Sequence, residues 1–125
     1  MEVAKLADSK FYYPAVAHCA YYSCMHLMMH IWFHKMNKTK SNLDRECNAV
    51  SQGMHAVLIN KIGAHIKSNT RNRQAMNDFH LFNSKILQLK KLRTNADYTE
   101  DSFDIRKSLN SIHLAEELIP ILKRA

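Results

Sequence analysis

At 125 residues the chain has room for one domain with a modest core, and its size calls for no disulfide or metal staple. It carries only two glycines and two prolines and is rich in Leu, Met, Ala, Lys and Asn, which makes all-α the leading class. A formal charge of +7 suits a polyanionic partner, although many small basic domains bind no nucleic acid. Cys19, Cys24 and Cys47 are odd in number and form no Cys-x-x-Cys pair, so they read as reduced thiols of a cytoplasmic protein rather than a disulfide framework or zinc knuckle.

Residues 1–8 suffice for a short helix with Val3, Leu6 and Ala7 on its apolar side, stable only if docked. Phe11, Tyr12, Tyr13 and Pro14 form the entry to a second helix expected over 14–36, where Pro14 suits the first turn. Val16, Ala20, Ser23, Leu27 and Ile31 share one face of it, and Tyr21, Met25, Met28 and Trp32 another. A helix apolar on several sides belongs at the centre of a bundle or in a dimer interface. His18, Ser23, His26 and His30 interrupt the run and argue against a membrane span, and the N-terminus shows no signal or transit pattern.

The polar stretch 35–44, with Lys35, Lys38 and Lys40, reads as a mobile loop. A third helix is expected over 45–66, with Val50, Met54, Leu58, Ile62 and either Ile66 or His65 on its buried side. Gly53 and Gly63 inside it each lower helix propensity by about 1 kcal/mol relative to Ala, and close packing of a neighbour would account for Gly63. Either Asn69 or Asn72 can cap the next helix.

The fourth helix, over 73–95, aligns Met76, Phe79, Phe82, Ile86 and Leu89 at helical spacing. The same stripe then reaches Arg93 and, one step on, Ala96 or Asp97, so a core-facing stripe ends in charge. Its outer side is basic, whereas Asp97, Glu100, Asp101 and Asp104 come soon after and complement the start of a fifth helix over 102–123. Asp101 or Ser102 would cap that helix, with Ile105, Leu109, Ile112, Ala115, Leu118 and Leu122 on its apolar stripe. Pro120 is expected to bend or fray its last turn. Short connections make the expected architecture a single domain, 1–125, built as an up-and-down antiparallel bundle of four main helices plus the short N-terminal one.

Few residues group into chemistry. His26, His30 and His34 stand at i, i+4, i+8 on one face, which could share a metal. With no Glu or Asp in that helix, a stripe of partly exposed histidines is the better reading. There is no phosphate-binding glycine loop, nucleophile elbow or dinucleotide fingerprint, and no cofactor is expected. Tyr12, Tyr13, Tyr21, Tyr22 and Trp32 could stack on bases, but their spacing favours the core.

Three stretches in order carry a resemblance. They are Phe11-Tyr12-Tyr13-Pro14-Ala15 leading to Ala20-Tyr21-Tyr22-Ser23-Cys24-Met25-His26, then Met54-His55-Ala56-Val57, then Leu92-Arg93-Thr94-Asn95-Ala96-Asp97-Tyr98. Together they resemble a HEPN domain (higher eukaryotes and prokaryotes nucleotide-binding), in the prokaryotic branch with an Arg-x-x-Ala-Asp-Tyr motif. The likeness runs from about residue 10 to 123, and the family's usual first helix is largely missing. It implies a helical bundle, commonly homodimeric, that acts on RNA or a nucleotide, or pairs with a small nucleotidyltransferase in toxin–antitoxin or defence systems.

Ribonuclease members of that family carry a His shortly after the Arg that Arg93 matches. Here positions 98, 99 and 100 hold Tyr98, Thr99 and Glu100, so no imidazole is in place to move a proton near neutral pH. The resemblance therefore implies binding without efficient cleavage, through Lys90, Arg93, Asn95, Asp97 and Tyr98. Two alternatives stand beside it. One is metal-independent cleavage with Arg93 and Asp97 as the catalytic pair; the other is a structural Arg93–Asp97 ion pair that fixes helix register.

Overall fold

The computed structural model describes residues 13–69, 71–98 and 105–125, and of residues 97 and 98 the backbone alone. The expected N-terminal helix over 1–8 and the caps at Asp101 or Ser102 lie outside the described residues. All regular structure among the described residues is helical: α1 (Tyr13–His30), continued by a π turn (Ile31–Lys35), α2 (Lys40–Val50), α3 (Met54–Lys67), α4 (Ala75–Tyr98) and α5 (Ile105–Arg124).

α1 is the centre. Val16, Ala17, Ala20, Tyr21, Cys24, Met25 and Met28 are all buried along it, and it packs on α3, α4 and α5. Small residues at 17 and 20 let those neighbours approach, while Tyr21 and Met28 fill the spaces between them. Burial pushes the Cys24 thiol up to about 12, so it behaves as a small apolar side chain.

Past His30 the helix widens. Met36 N–H donates to Ile31 O at 2.9 Å, a five-residue step, and Asn37 then turns left-handed at φ 53°. Buried Trp32 anchors the exit, its Nε1 donating to Thr39 O at 3.0 Å.

The expected loop over 35–44 is therefore much shorter, because Thr39 starts a helix. Its hydroxyl accepts from Asn42 N–H at 3.1 Å, and Asn42 Oδ1 accepts from Thr39 N–H at 2.8 Å. This reciprocal cap satisfies two donors that a helix start otherwise leaves open. The expected single helix over 45–66 is two helices, so the described residues hold five helices packed together rather than four. The break falls at Ser51, held left-handed at φ 53° and ψ 41°, and Gly53 is the residue from which α3 starts. α2 buries only Leu43 and packs chiefly on α3.

Asn72, one of the two expected caps, falls two residues short of the cap position held by Gln74, and its Oδ1 accepts from Gln74 N–H at 2.9 Å in the turn before α4. On α4 the expected stripe holds at Phe82, Ile86 and Leu89, which are fully buried, but Met76 is 52% exposed. Its place at the helix start is taken by Asp78, which is buried. Arg124 grips the Asp78 carboxylate through Nη2–Oδ1 at 2.8 Å and Nε–Oδ2 at 3.1 Å, and Asn72 Nδ2 donates at 2.9 Å. These hydrogen bonds hold the Asp78 carboxyl below its ordinary range.

Gly63 faces α4 without an unusually close approach: a Cβ there would lie 3.4 Å from Phe79 Cε1, an ordinary contact, so close packing does not account for the glycine. Lys67 stands over the Phe79 ring, whereas His55 at the other end of α3 meets the Arg93 end of α4, so the two helices run antiparallel. Asp78–Arg124 and Lys85–Glu117 set α4 and α5 antiparallel in the same way. On α5 the buried face is Ser108, Ser111, Leu114, Ala115, Leu118, Ile121 and Leu122. The expected stripe is thus rotated, leaving Ile105 and Leu109 exposed, because two small serines seat the helix against its neighbours. α5 also continues through exposed Pro120 to Arg124 instead of fraying there. None of the helices among the described residues is long and apolar enough to cross a membrane.

Candidate functional site

Near the C-terminal end of α4, Arg93 leans across α1. Its Cζ lies 5.7 Å from the Tyr21 ring centroid and 5.6 Å from that of Tyr22, and its Nη2 donates to the Tyr22 hydroxyl at 3.2 Å. Both separations are within cation–π range. Consecutive residues can flank one guanidinium because Tyr21 and Tyr22 point about 100° apart on the helix. Their rings meet edge-on at 5.5 Å, Tyr21 fully buried and Tyr22 36% exposed. The reading of the tyrosines as core holds for Tyr21 and fails for Tyr22.

α3 adds an imidazole. Tyr21 Oη is 3.0 Å from His55 Nδ1, and the His55 ring also meets Tyr22 edge-on at 6.1 Å. Burial, then Arg93, then Lys90 hold the His55 pKa below its ordinary value, so the ring is neutral at pH 7. Tyr21 is driven the other way, to about 12, chiefly by burial. A buried, fully protonated hydroxyl needs an acceptor, and His55 Nδ1 is within reach. That assignment places the remaining imidazole hydrogen on Nε2, making His55 an N–H donor rather than a ready base. His18 stacks on the outer side of Tyr22, with 6.5 Å between ring centroids.

The remaining motif residues divide by role. Ala96 is buried against Ala17, with Tyr13 and Leu92 packed beside them, so the Leu and Ala of Leu92–Tyr98 dock α4 on α1. Lys90 is half-buried one turn before Arg93, its carbonyl accepting from Thr94 Oγ1 at 3.0 Å. Asn95 is half-buried on the same helix. The side chains of Asp97 and Tyr98 lie outside the described residues, and with them the Arg93–Asp97 pairing.

No family model, curated protein or solved structure matches the chain.

The π turn divides the histidine stripe. His30 and His34 lie with ring centroids 4.8 Å apart, and the π turn between them departs from the α spacing that would align His26 with both. Among the described residues no three His, Cys, Asp or Glu side chains converge on a common point. Spacing along the chain does not single out His55, which has no histidine or carboxylate at helical distance from it. Its one signal is its place in Met54-His55-Ala56-Val57, among the three stretches behind the family resemblance.

Chemically the cluster offers one cation held over two aromatic faces, a second cation at Lys90 and a neutral N–H donor at His55. Such an arrangement receives an anionic oxygen beside a planar ring.

Proposed function

We propose that this protein is a HEPN-like module that binds RNA or a nucleotide through Arg93, Lys90, Tyr22 and His55, without efficient cleavage. The observation that supports it most is Arg93 lying over Tyr21 and Tyr22 beside His55. A guanidinium held against aromatic faces is already oriented, so little side-chain freedom is lost when a phosphate arrives. The exposed part of Tyr22 offers a surface for a base, and the basic surplus of the chain favours a polyanion. The absence of a motif His after Arg93, together with the engagement of His55 Nδ1 by Tyr21, favours binding over proton abstraction. The homodimer and the nucleotidyltransferase partner implied by the family resemblance belong to the same reading, in the setting of a toxin–antitoxin or defence system.

Fluorescence anisotropy with a labelled single-stranded RNA, across a salt series, tests it. Salt-dependent binding that Arg93→Ala weakens, with the melting curve preserved, supports the reading. Affinity unchanged by Arg93→Ala sinks it. Cleavage of the RNA by wild type and not by Arg93→Ala would replace it with the ribonuclease alternative.

A further inference from the structure

Between α3 and α4 runs a groove of about 450 Å³ that begins beside the Arg93 cluster and leads away from it. Lys90 lines its near end and Lys67 its far end, so the cation next to Arg93 is shared by both features. Its floor is apolar, with Ile59 and Phe79, and the small side chains Ala56 and Ala64 keep it open. Along the rim stand three amides, Gln52, Asn60 and Asn83, all exposed. No carboxylate is among the described residues that line it.

We infer that this groove is a track for single-stranded RNA, continuing from the Arg93 cluster, with phosphates at Lys90 and Lys67 and bases against the amides. The inference rests on the proposed binding function and adds the form of the ligand and its path.

Length argues for a strand over a mononucleotide. Lys67 sits over Phe79, 5.3 Å from its centroid, and Phe79 is eleven residues from Lys90 along α4. At about 1.5 Å per residue the Phe79 and Lys90 positions stand roughly 16 Å apart along the helix, a span longer than one phosphate. Chemistry argues for bases. Asn and Gln side chains present a donor and an acceptor together, matching the edge of an unpaired base, while an apolar floor takes its face. A duplex hides those edges, so a groove of this kind favours single strands.

The test is anisotropy across a potassium chloride series with labelled oligonucleotides of roughly 12 nucleotides: rU, rA and rC single strands and the rA·rU duplex. Wild type should bind single strands more tightly than the duplex. Lys67→Ala should reduce the steepness of log K against log salt by about 0.7, the value of one lost phosphate contact. Asn83→Ala should change the ratio of affinities among the three strands by about fivefold or more, as expected for loss of a bidentate amide contact. Asn83→Asp should weaken all three. Both positions are exposed, so circular dichroism should show the fold intact.

Binding that depends on Arg93 but is indifferent to Lys67 and Asn83 overturns the track and leaves the proposed function standing. Equal affinity for the duplex, or equally good competition by poly-glutamate, also overturns the track. No Arg93-dependent RNA binding at all overturns both.

Discussion

One tyrosine meets Arg93 in two ways: the Tyr22 ring lies under its Cζ at 5.6 Å, and the Tyr22 hydroxyl accepts from its Nη2 at 3.2 Å. The two contacts can be removed separately. Tyr22→Phe deletes the hydrogen bond and keeps the ring, and because Tyr22 is 36% exposed the cost should be under about 1 kcal/mol. Tyr22→Ala deletes both and should cost about 1–2 kcal/mol, read by urea denaturation. RNA affinity should follow the same order, with Phe close to wild type and Ala clearly weaker. Equal affinities for wild type and Tyr22→Ala would show that this ring serves packing alone.

His55 supplies a pH signature. Its folded pKa is lowered, by burial first and then by Arg93 and Lys90, relative to about 6.5 in an unfolded chain. The unfolded state therefore takes up the proton first as pH falls. His55 contributes stability above about pH 6.5 that is lost as pH drops from there through the folded value. In an NMR titration the His55 ring should titrate below the ordinary histidine range. Arg93→Ala should move it upward without restoring it fully, since burial remains. A His55 that titrates normally in wild type would contradict the packing of Tyr21, His55 and Arg93.

At the opposite end of α4, Asp78 carries the main buried charge among the described residues, and its partner Arg124 is 46% exposed in its side chain. Asp78→Asn leaves Arg124 able to turn to water, so the loss should be about 1.5–3 kcal/mol rather than the larger cost of stranding a buried cation. The Asp78 carboxyl is held low in the folded state, so its contribution is present above about pH 4 and disappears as pH falls through the folded value. Chemical denaturation at several acid pH values should show wild type losing stability in that window, and Asp78→Asn losing less. Parallel acid profiles for the two proteins would rule this pair out as a source of acid sensitivity.

Gly63 is buried where Phe79 and Phe82 cross α3. An added Cβ would meet Phe79 Cε1 at 3.4 Å and Phe82 Cε2 at 3.7 Å, which are ordinary contacts. Gly63→Ala should then gain helix propensity with little strain and stabilise the protein by up to about 1 kcal/mol. Gly63→Val pushes further into both rings and should destabilise by about 1–3 kcal/mol. Thermal melts of the two variants should move in opposite directions.

The sequence pattern disclosed much of this and missed the rest for identifiable reasons. Apolar spacing located α1 and α4 to within a few residues, since both bury long stripes against several neighbours. It failed between 45 and 66, where Val50, Met54 and Leu58 continue one helical stripe straight across a turn; Val50 and Met54 are in fact exposed. Periodicity cannot register a left-handed residue, and Ser is no strong signal for one. On α5 it favoured Ile105 and Leu109 over Ser108 and Ser111, because close packing at small polar residues leaves no hydropathy trace. At the site Arg93 stood out as a charge on an apolar stripe. Its company did not: Tyr22 and His55 are 71 and 38 positions away from it in sequence, and only the crossing of α1, α3 and α4 joins them.

The break that periodicity missed is itself testable. Ser51 holds φ 53° and ψ 41° at the end of α2, where its N–H closes the last turn on Cys47 O. A side chain in that conformation costs about 1 kcal/mol that glycine avoids, partly offset by the greater freedom of glycine when unfolded. Ser51→Gly should therefore raise stability by about 0.5 kcal/mol. Ser51→Val should lower it by more than 1 kcal/mol, roughly, because a β-branched residue tolerates the left-handed region worst. If residues 45–66 instead formed one continuous helix, the order would invert: glycine in place of Ser51 would destabilise by about 0.5 kcal/mol and valine would be nearly neutral. Urea denaturation of the two variants separates these outcomes by sign, so the α2–α3 turn can be decided without reference to any ligand.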